Sequence, residues 1–181
     1  MKVALHTCCG PCASACLPRL MEEGHDTVLV FANSNIADKE EFELRRREAE
    51  KLAINDRAKF ITIEYDHEDW LREVAAGLED EPERGKRCER CFRYSLKKVA
   101  QFAAANGLDA FTTSLTVSPH KNSSTIFACG QESAKEQGST FLEKDFKKKG
   151  GFLESTRRAK ELNMYRQKYC GCEFSRRGRM G

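Results

Sequence analysis

Apolar and polar positions along the chain follow two rhythms: short unbroken apolar runs, and longer stretches with an apolar residue every three or four positions. "VAL" (3–5) is the first run. Pro11 then opens a helix in which Ala13, Cys16, Leu17, Leu20 and Met21 recur at helical spacing until Gly24 stops it. "DTVLVFANSNI" reads as a buried strand entering a polar Asn-Ser-Asn turn. Asp38 and Glu41 have the form of a capping box, and Phe42, Ala49, Leu52 and Ala53 mark the inner face of the next helix. "FITIEYD" is a third strand, and Trp70, Leu71, Val74, Ala75 and Leu78 outline a short amphipathic helix. "EDEPERGKR" reads as an exposed loop, followed by a helix with Phe92, Leu96, Val99, Phe102 and Ala103 on one stripe and Gly107 as its stop. "DAFTTSLTVSP" is a fourth strand, residues 122–137 a helix, "TFLEKDF" a fifth strand and residues 154–163 a last helix. Strands alternating with helices of this length predict an α/β fold, a parallel sheet with helices on both faces.

The length, 181 residues, suits one domain, predicted over residues 1–175, with a basic flexible tail at 176–181. No apolar run approaches the roughly 20 residues that span a bilayer. The N-terminus lacks the pattern of a secretory signal, so a cytoplasmic location is expected. The net charge of +3 hides a division: residues 142–181 carry 12 Lys+Arg against 5 Asp+Glu, and the remainder 19 against 23. A basic C-terminal quarter is the electrostatic footprint of an acidic partner such as nucleic acid, and solvated lysines alone would give the same composition. Neither G-x-G-x-x-G nor a Walker pattern is present, so nothing announces a dinucleotide or nucleoside triphosphate.

Nine cysteines exceed ordinary use, and in a reducing compartment they point to metal or redox chemistry. Seven of them form three clusters: Cys8, Cys9 and Cys12 in "CCGPC", Cys88 and Cys91 in "CERC", and Cys170 and Cys172 in "YCGCEF". A C-x-x-C at a helix start sets two sulfurs one turn apart on one face, where the helix N-terminus lowers thiol pKa toward the thiolate that metals require. Seven thiols exceed the four ligands of one zinc or one four-iron cluster, which implies two centres or one centre plus reactive thiols. Two other readings stand beside iron and sulfur. "CGPC" (9–12) matches a thioredoxin-like dithiol that cycles through a disulfide, although it leaves the other clusters without a role. Cys88, Cys91, Cys170 and Cys172 also have the make-up of a structural zinc site in an RNA-binding module. Cys16 and Cys129 fall among apolar helix positions and read as core.

The motifs "LHTCCGPC", "FANSNI", "RRREAEKLA", "YDHEDWL", "GLEDEPERGKRCERCFRYSL", "FTTSLTVSPHKN", "FLEKDFKKKGGF" and "MYRQKYCGCEFS", in this order along nearly the whole chain, resemble the epoxyqueuosine reductases of the QueH type. Gly10 departs from the alanine common at that position. The resemblance implies a Rossmann-like sheet with a metal site at the carboxyl edge of its strands. It implies reduction of epoxyqueuosine to queuosine in the wobble position of tRNA, with a [4Fe-4S] cluster and an additional iron ion. Cys8, Cys9, Cys12, Cys88, Cys91, Cys170 and Cys172 are then the ligand pool, with the partition between centres open. An unidentified electron donor is required. For that reaction His120, Tyr165 and Asp145 are candidate proton donors. Lys121, Lys147, Lys148, Lys149 and Arg166 are candidates for tRNA phosphates, and Asn33 and Asn35 for the modified base.

Overall fold

A strand buried on both sides must feed two cores by alternation, and the first two strands do so. Ala4, Val28 and Val30 pack in one apolar cluster, while Leu5 and Leu29 pack in another. The computed structural model describes residues 1–177. Its strands β1 (Lys2–His6), β2 (Asp26–Phe31), β3 (Lys59–Thr62) and β4 (Ala110–Thr113) form one parallel sheet in the order β3-β2-β1-β4. Helices α1 (Gly10–Glu22) and α2 (Lys39–Asn55) cover the Leu5 face. On the Ala4 face lie α4 (Lys86–Ala105) and α5 (Ser123–Gln137). Between these groups come α3 (His67–Trp70), which widens into a π turn over Leu71–Ala75, then α6 (Gly151–Glu161) against α1, and α7 (Glu173–Arg177). The expected α/β class with both faces covered is what the chain adopts. Cys16 and Cys129 lie in the two cores as expected.

Proline inside α1 shows how the parts are tied. Pro18 has no N–H to give the Ser14 carbonyl one turn back. Arg158 of α6 supplies the missing donor at 2.6 Å, and its guanidinium also grips Asp56 at 2.9 and 3.1 Å.

Four expectations are corrected. Residues 140–146 are not a fifth strand: one bridge joins Phe141 to Phe111, and the segment then leaves the sheet. The reason is that β4 stops at Thr113 and coils into a 3-10 turn over Ser114–Val117, so no ladder remains to pair with. The Thr112 and Thr116 hydroxyls bind the Leu142 and Lys144 carbonyls instead. Asp38 does cap α2, accepting from Glu40 N, but Glu41 turns inward to Arg45 rather than closing a capping box. Of the stretch 79–87 expected as an exposed loop, Lys86 and Arg87 open α4, and Arg87 is buried, its guanidinium donating to the Leu78 and Glu81 carbonyls at 2.8 and 2.6 Å and lying 4.4 Å from the Phe174 ring. The tail expected at 176–181 begins inside α7, and its residues 178–181 lie outside the described residues.

Order matters for the site. The chain moves outward from β1 to β2 and β3, then returns to place β4 on the other side of β1. Adjacent connections therefore diverge beyond the carboxyl ends of β1 and β4, where such sheets hold their ligands.

Candidate metal centre

Cys8 stands at that divergence. Its N–H donates to the Ser114 hydroxyl at 3.1 Å, and its sulfur lies 3.3 Å from the same oxygen, so the ends of β1 and β4 are laced together. Cys9 is the N-cap of α1, its Sγ accepting from Cys12 N at 3.4 Å. The capping geometry forces the three sulfurs together: Cys8, Cys9 and Cys12 lie within 4.8 Å of one another and could hold a metal ion. Hydrogen bonds from the Cys12 and Cys8 thiols hold Cys9 well below the ordinary thiol range, whereas Cys12, bonded to Cys8 and Cys9, is pushed well above it. Behind them His6 is buried with Nδ1 2.9 Å from the Thr113 hydroxyl and Nε2 3.3 Å from the Ala32 carbonyl. Burial lowers its pKa, so the ring is neutral.

The other four thiols make a second group. Cys88 and Cys91 project from the start of α4, and Cys170 and Cys172 from the loop before α7. All four line one small cavity together with Trp70 and Arg87. Here the expected helix-start depression of thiol pKa is corrected: burial dominates and raises Cys88, Cys172 and, most strongly, Cys91. Cys91 and Cys170 also line a larger cavity of about 450 Å³, which the Cys8, Cys9 and Cys12 triad lines as well. Thiols from three distant segments therefore border one space, and all nine cysteines are free. Among the described residues no helix is long and apolar enough to cross a membrane.

What binds the third segment was not foreseen. Arg45, buried on α2, donates to Glu41 at 2.7 Å and to the Cys170 and Tyr169 carbonyls at 2.8 and 3.1 Å. Gly171 takes φ +134°, and a Cβ there would meet Ile36 at 3.0 Å, so this turn requires glycine. Trp70, Arg87 and Phe152, which lines the large cavity, were missed as well. The signal for Arg45 was available: Glu41, Arg45, Glu48 and Leu52 recur at helical spacing beside the apolar stripe, and all but Glu41 are buried below 6 % exposure.

The candidate site residues divide. Asn33, Asn35, His120, Lys121 and Arg166 line the large cavity. Asn33 spends an amide N–H on the Thr7 carbonyl at 2.9 Å. Lys121 lines the same cavity as Cys170 and the triad, and its electrostatic attraction to these sulfurs, Cys170 first, raises its pKa, so it is a fixed cation. Tyr165 and Asp145 are not in the lining. The Tyr165 hydroxyl donates to Glu41, and Asp145 has a buried carboxylate oxygen with no partner. Lys147 turns inward, donating to the Lys121 carbonyl at 2.7 Å, whereas Lys148 and Lys149 are exposed on a turn that Arg19 holds by their carbonyls.

A family model described as "Epoxyqueuosine reductase QueH" matches residues 3–178. This chain belongs to that family. Relatives named Epoxyqueuosine reductase QueH include those of Streptococcus pyogenes serotype M1, 39% identical over 180 residues (96% of this chain, 70% of the relative), and Thermotoga maritima, 35% identical over 176 residues (96% and 89%). That of Dehalococcoides mccartyi is 30% identical over 181 residues, covering 99% of this chain and 95% of its own. Among solved structures, one described as a "predicted subunit of tRNA methyltransferase" from Methanocaldococcus jannaschii superposes with TM-score 0.57 at 14% identity, covering 89% of this chain and 75% of that one. That likeness shows the shared α/β fold. The QueH resemblance read from the motifs is thus confirmed as family membership.

Proposed function

We propose that the chain reduces epoxyqueuosine at the wobble position of tRNA to queuosine, with a [4Fe-4S] cluster and an additional iron ion. One observation carries the reading: five free thiols from three distant segments, the Cys8, Cys9 and Cys12 triad with Cys91 and Cys170, line one cavity at the carboxyl edge of the sheet, and Cys88 and Cys172 join Cys91 and Cys170 around the small cavity beside it. The name shared by the relatives supplies the reaction. The donor set fits the groups, since soft thiolates suit iron–sulfur centres. Cys88, Cys91, Cys170 and Cys172 would hold the cluster, and Cys8, Cys9 and Cys12 would hold the iron ion. When bound, these groups supply single electrons and a Lewis acid.

The balance is two electrons and two protons per epoxide: both carbon–oxygen bonds break, a carbon–carbon double bond forms, and the oxygen leaves as water. The electrons come from a separate donor. His120, exposed at the rim of the large cavity, is the side chain best placed to deliver a proton. Lys121 holds a positive charge beside the same cavity, where charge develops on the departing oxygen. Asn35 faces the flipped base, Arg166 its flanking phosphate, and Lys148 and Lys149 the phosphates further out.

The test is anaerobic purification with iron and sulfide assay, followed by incubation with reductant and tRNA carrying epoxyqueuosine. Mass spectrometry of the nucleosides should show a product lighter by one oxygen. Cys91→Ala should abolish the cluster and Cys8→Ala only the single iron. Zinc without sulfide would favour the zinc-stabilised RNA-binding module. Disulfide reduction that depends on Cys9 and Cys12, without iron, would favour the dithiol.

A further inference from the structure

Trp70 is 1% exposed, and its indole N–H is buried with no hydrogen-bond partner. Buried tryptophan N–H groups almost always find a partner, since leaving one unpaired costs about 1–3 kcal/mol. Cys91 is the thiol packed beside it, and interaction with the Trp70 side chain opposes the rise that burial gives the Cys91 thiol. Trp70 also lines the small cavity between the two thiol pairs and packs in one cluster with Cys91 and Cys172.

The ring has little freedom to turn away. It stacks on His67 with centroids 5.4 Å apart and planes 12° apart, and it lies 6.4 Å from the Phe174 ring. His67 is itself fixed by contacts to the Ser34 carbonyl at 2.7 Å and Glu173 at 3.2 Å. Directly after Trp70 the helix widens into the π turn, a local departure that is frequent at functional sites.

We propose that Trp70 is a positioning residue whose indole N–H donates to the Cys91 sulfur and thereby raises the reduction potential of the centre held by the quartet. This rests on the proposed assignment of Cys91 as a cluster ligand. A donor pointing at a ligand sulfur withdraws negative charge from it. The reduced, more negative state gains more from that than the oxidised state does, so the potential rises. The N–H thus makes the cluster easier to reduce by the external donor.

The test is an EPR-monitored redox titration of the reconstituted protein against Trp70→Phe. A second variant replaces Trp70 by 3-benzothienylalanine, which keeps the bicyclic shape but has sulfur in place of the N–H. Both should retain wild-type iron and sulfide and titrate at a more negative potential, a shift that lost packing alone would not produce in the benzothienyl variant. Trp70 is the only tryptophan, so its emission should be quenched when the cluster loads. A benzothienyl variant with full iron and sulfide and an unchanged potential would overturn the inference, as would wild-type emission indifferent to loading. A Cys91→Ala protein that keeps its cluster would overturn the ligand assignment itself, and the inference with it.

Discussion

Replacing Arg45 by methionine should cost the metal-free protein about 3 kcal/mol and should also loosen its grip on iron. Arg45 is 3% exposed, and its guanidinium serves three acceptors at once: Glu41 and the carbonyls of Tyr169 and Cys170. Removing one partner of a buried ion pair typically costs about 3–5 kcal/mol, because the other charge is left uncompensated. The lower end applies here, since the Tyr165 hydroxyl still donates to Glu41 at 3.0 and 3.1 Å. Methionine keeps most of the buried stem, so packing loss is small. The assay is equilibrium urea unfolding of wild type, Arg45→Met and the double variant Glu41→Gln with Arg45→Met. The double variant should recover most of the loss, because the orphaned carboxylate goes with its partner. Iron content after anaerobic reconstitution should fall in both, since neither restores the donors to the Cys170 loop. A loss below about 1 kcal/mol, or full iron in Arg45→Met, would refute the argument that this residue anchors the third thiol segment.

Three further outcomes follow from other contacts. Arg158→Leu should destabilise the protein by about 2–4 kcal/mol in urea unfolding, because it leaves both the Ser14 carbonyl behind Pro18 and the Asp56 carboxylate unserved; Asp56→Asn should cost less. Burial pushes the Cys129 thiol up to about 11 from an ordinary value near 9. A raised folded-state value means its stabilisation is complete below pH 9 and is lost as pH rises toward 11, with a limiting slope of about 1.4 kcal/mol per pH unit. Metal-free Cys129→Ala should therefore show a shallower decline across that window than wild type, and equal slopes would refute it. Neutralising Lys148 and Lys149 to glutamine should weaken tRNA binding and flatten the log–log salt dependence by about 1 per lysine, as read by filter binding.

Period and punctuation made the sheet and most helices legible, because apolar runs and apolar stripes respond to the same burial that builds them. Cys8, Cys9 and Cys12 were legible for a different reason: a cysteine N-cap followed by Pro11 forces proximity within a few residues. Charged residues in long-range roles escaped. Arg45 looks like a solvated helix position and Arg87 like part of an exposed loop until the carbonyls they serve, 124 and 125 residues away for Arg45, are folded onto them. Residues 140–146 misled because an apolar-rich segment says nothing about whether its neighbour has an edge left to pair with.

Topology explains why the third thiol segment alone needs such anchors. In a parallel sheet the helix that follows a strand begins at that strand's carboxyl edge, and the helix that precedes the next parallel strand also begins there. Helix α1 follows β1 and helix α4 precedes β4, so both C-x-x-C pairs start at one edge although their helices cover opposite faces of the sheet. Cys170 and Cys172 come after the last strand and inherit no such placement. They reach the edge because Arg45 holds two carbonyls of their loop, the Ala37 N–H binds the Gly171 carbonyl at 3.1 Å, and the Arg87 guanidinium lies over Phe174 just beyond them. The free energy that assembles the quartet is therefore concentrated in a few polar contacts to one loop, and single substitutions there should dismantle the centre while leaving the sheet intact.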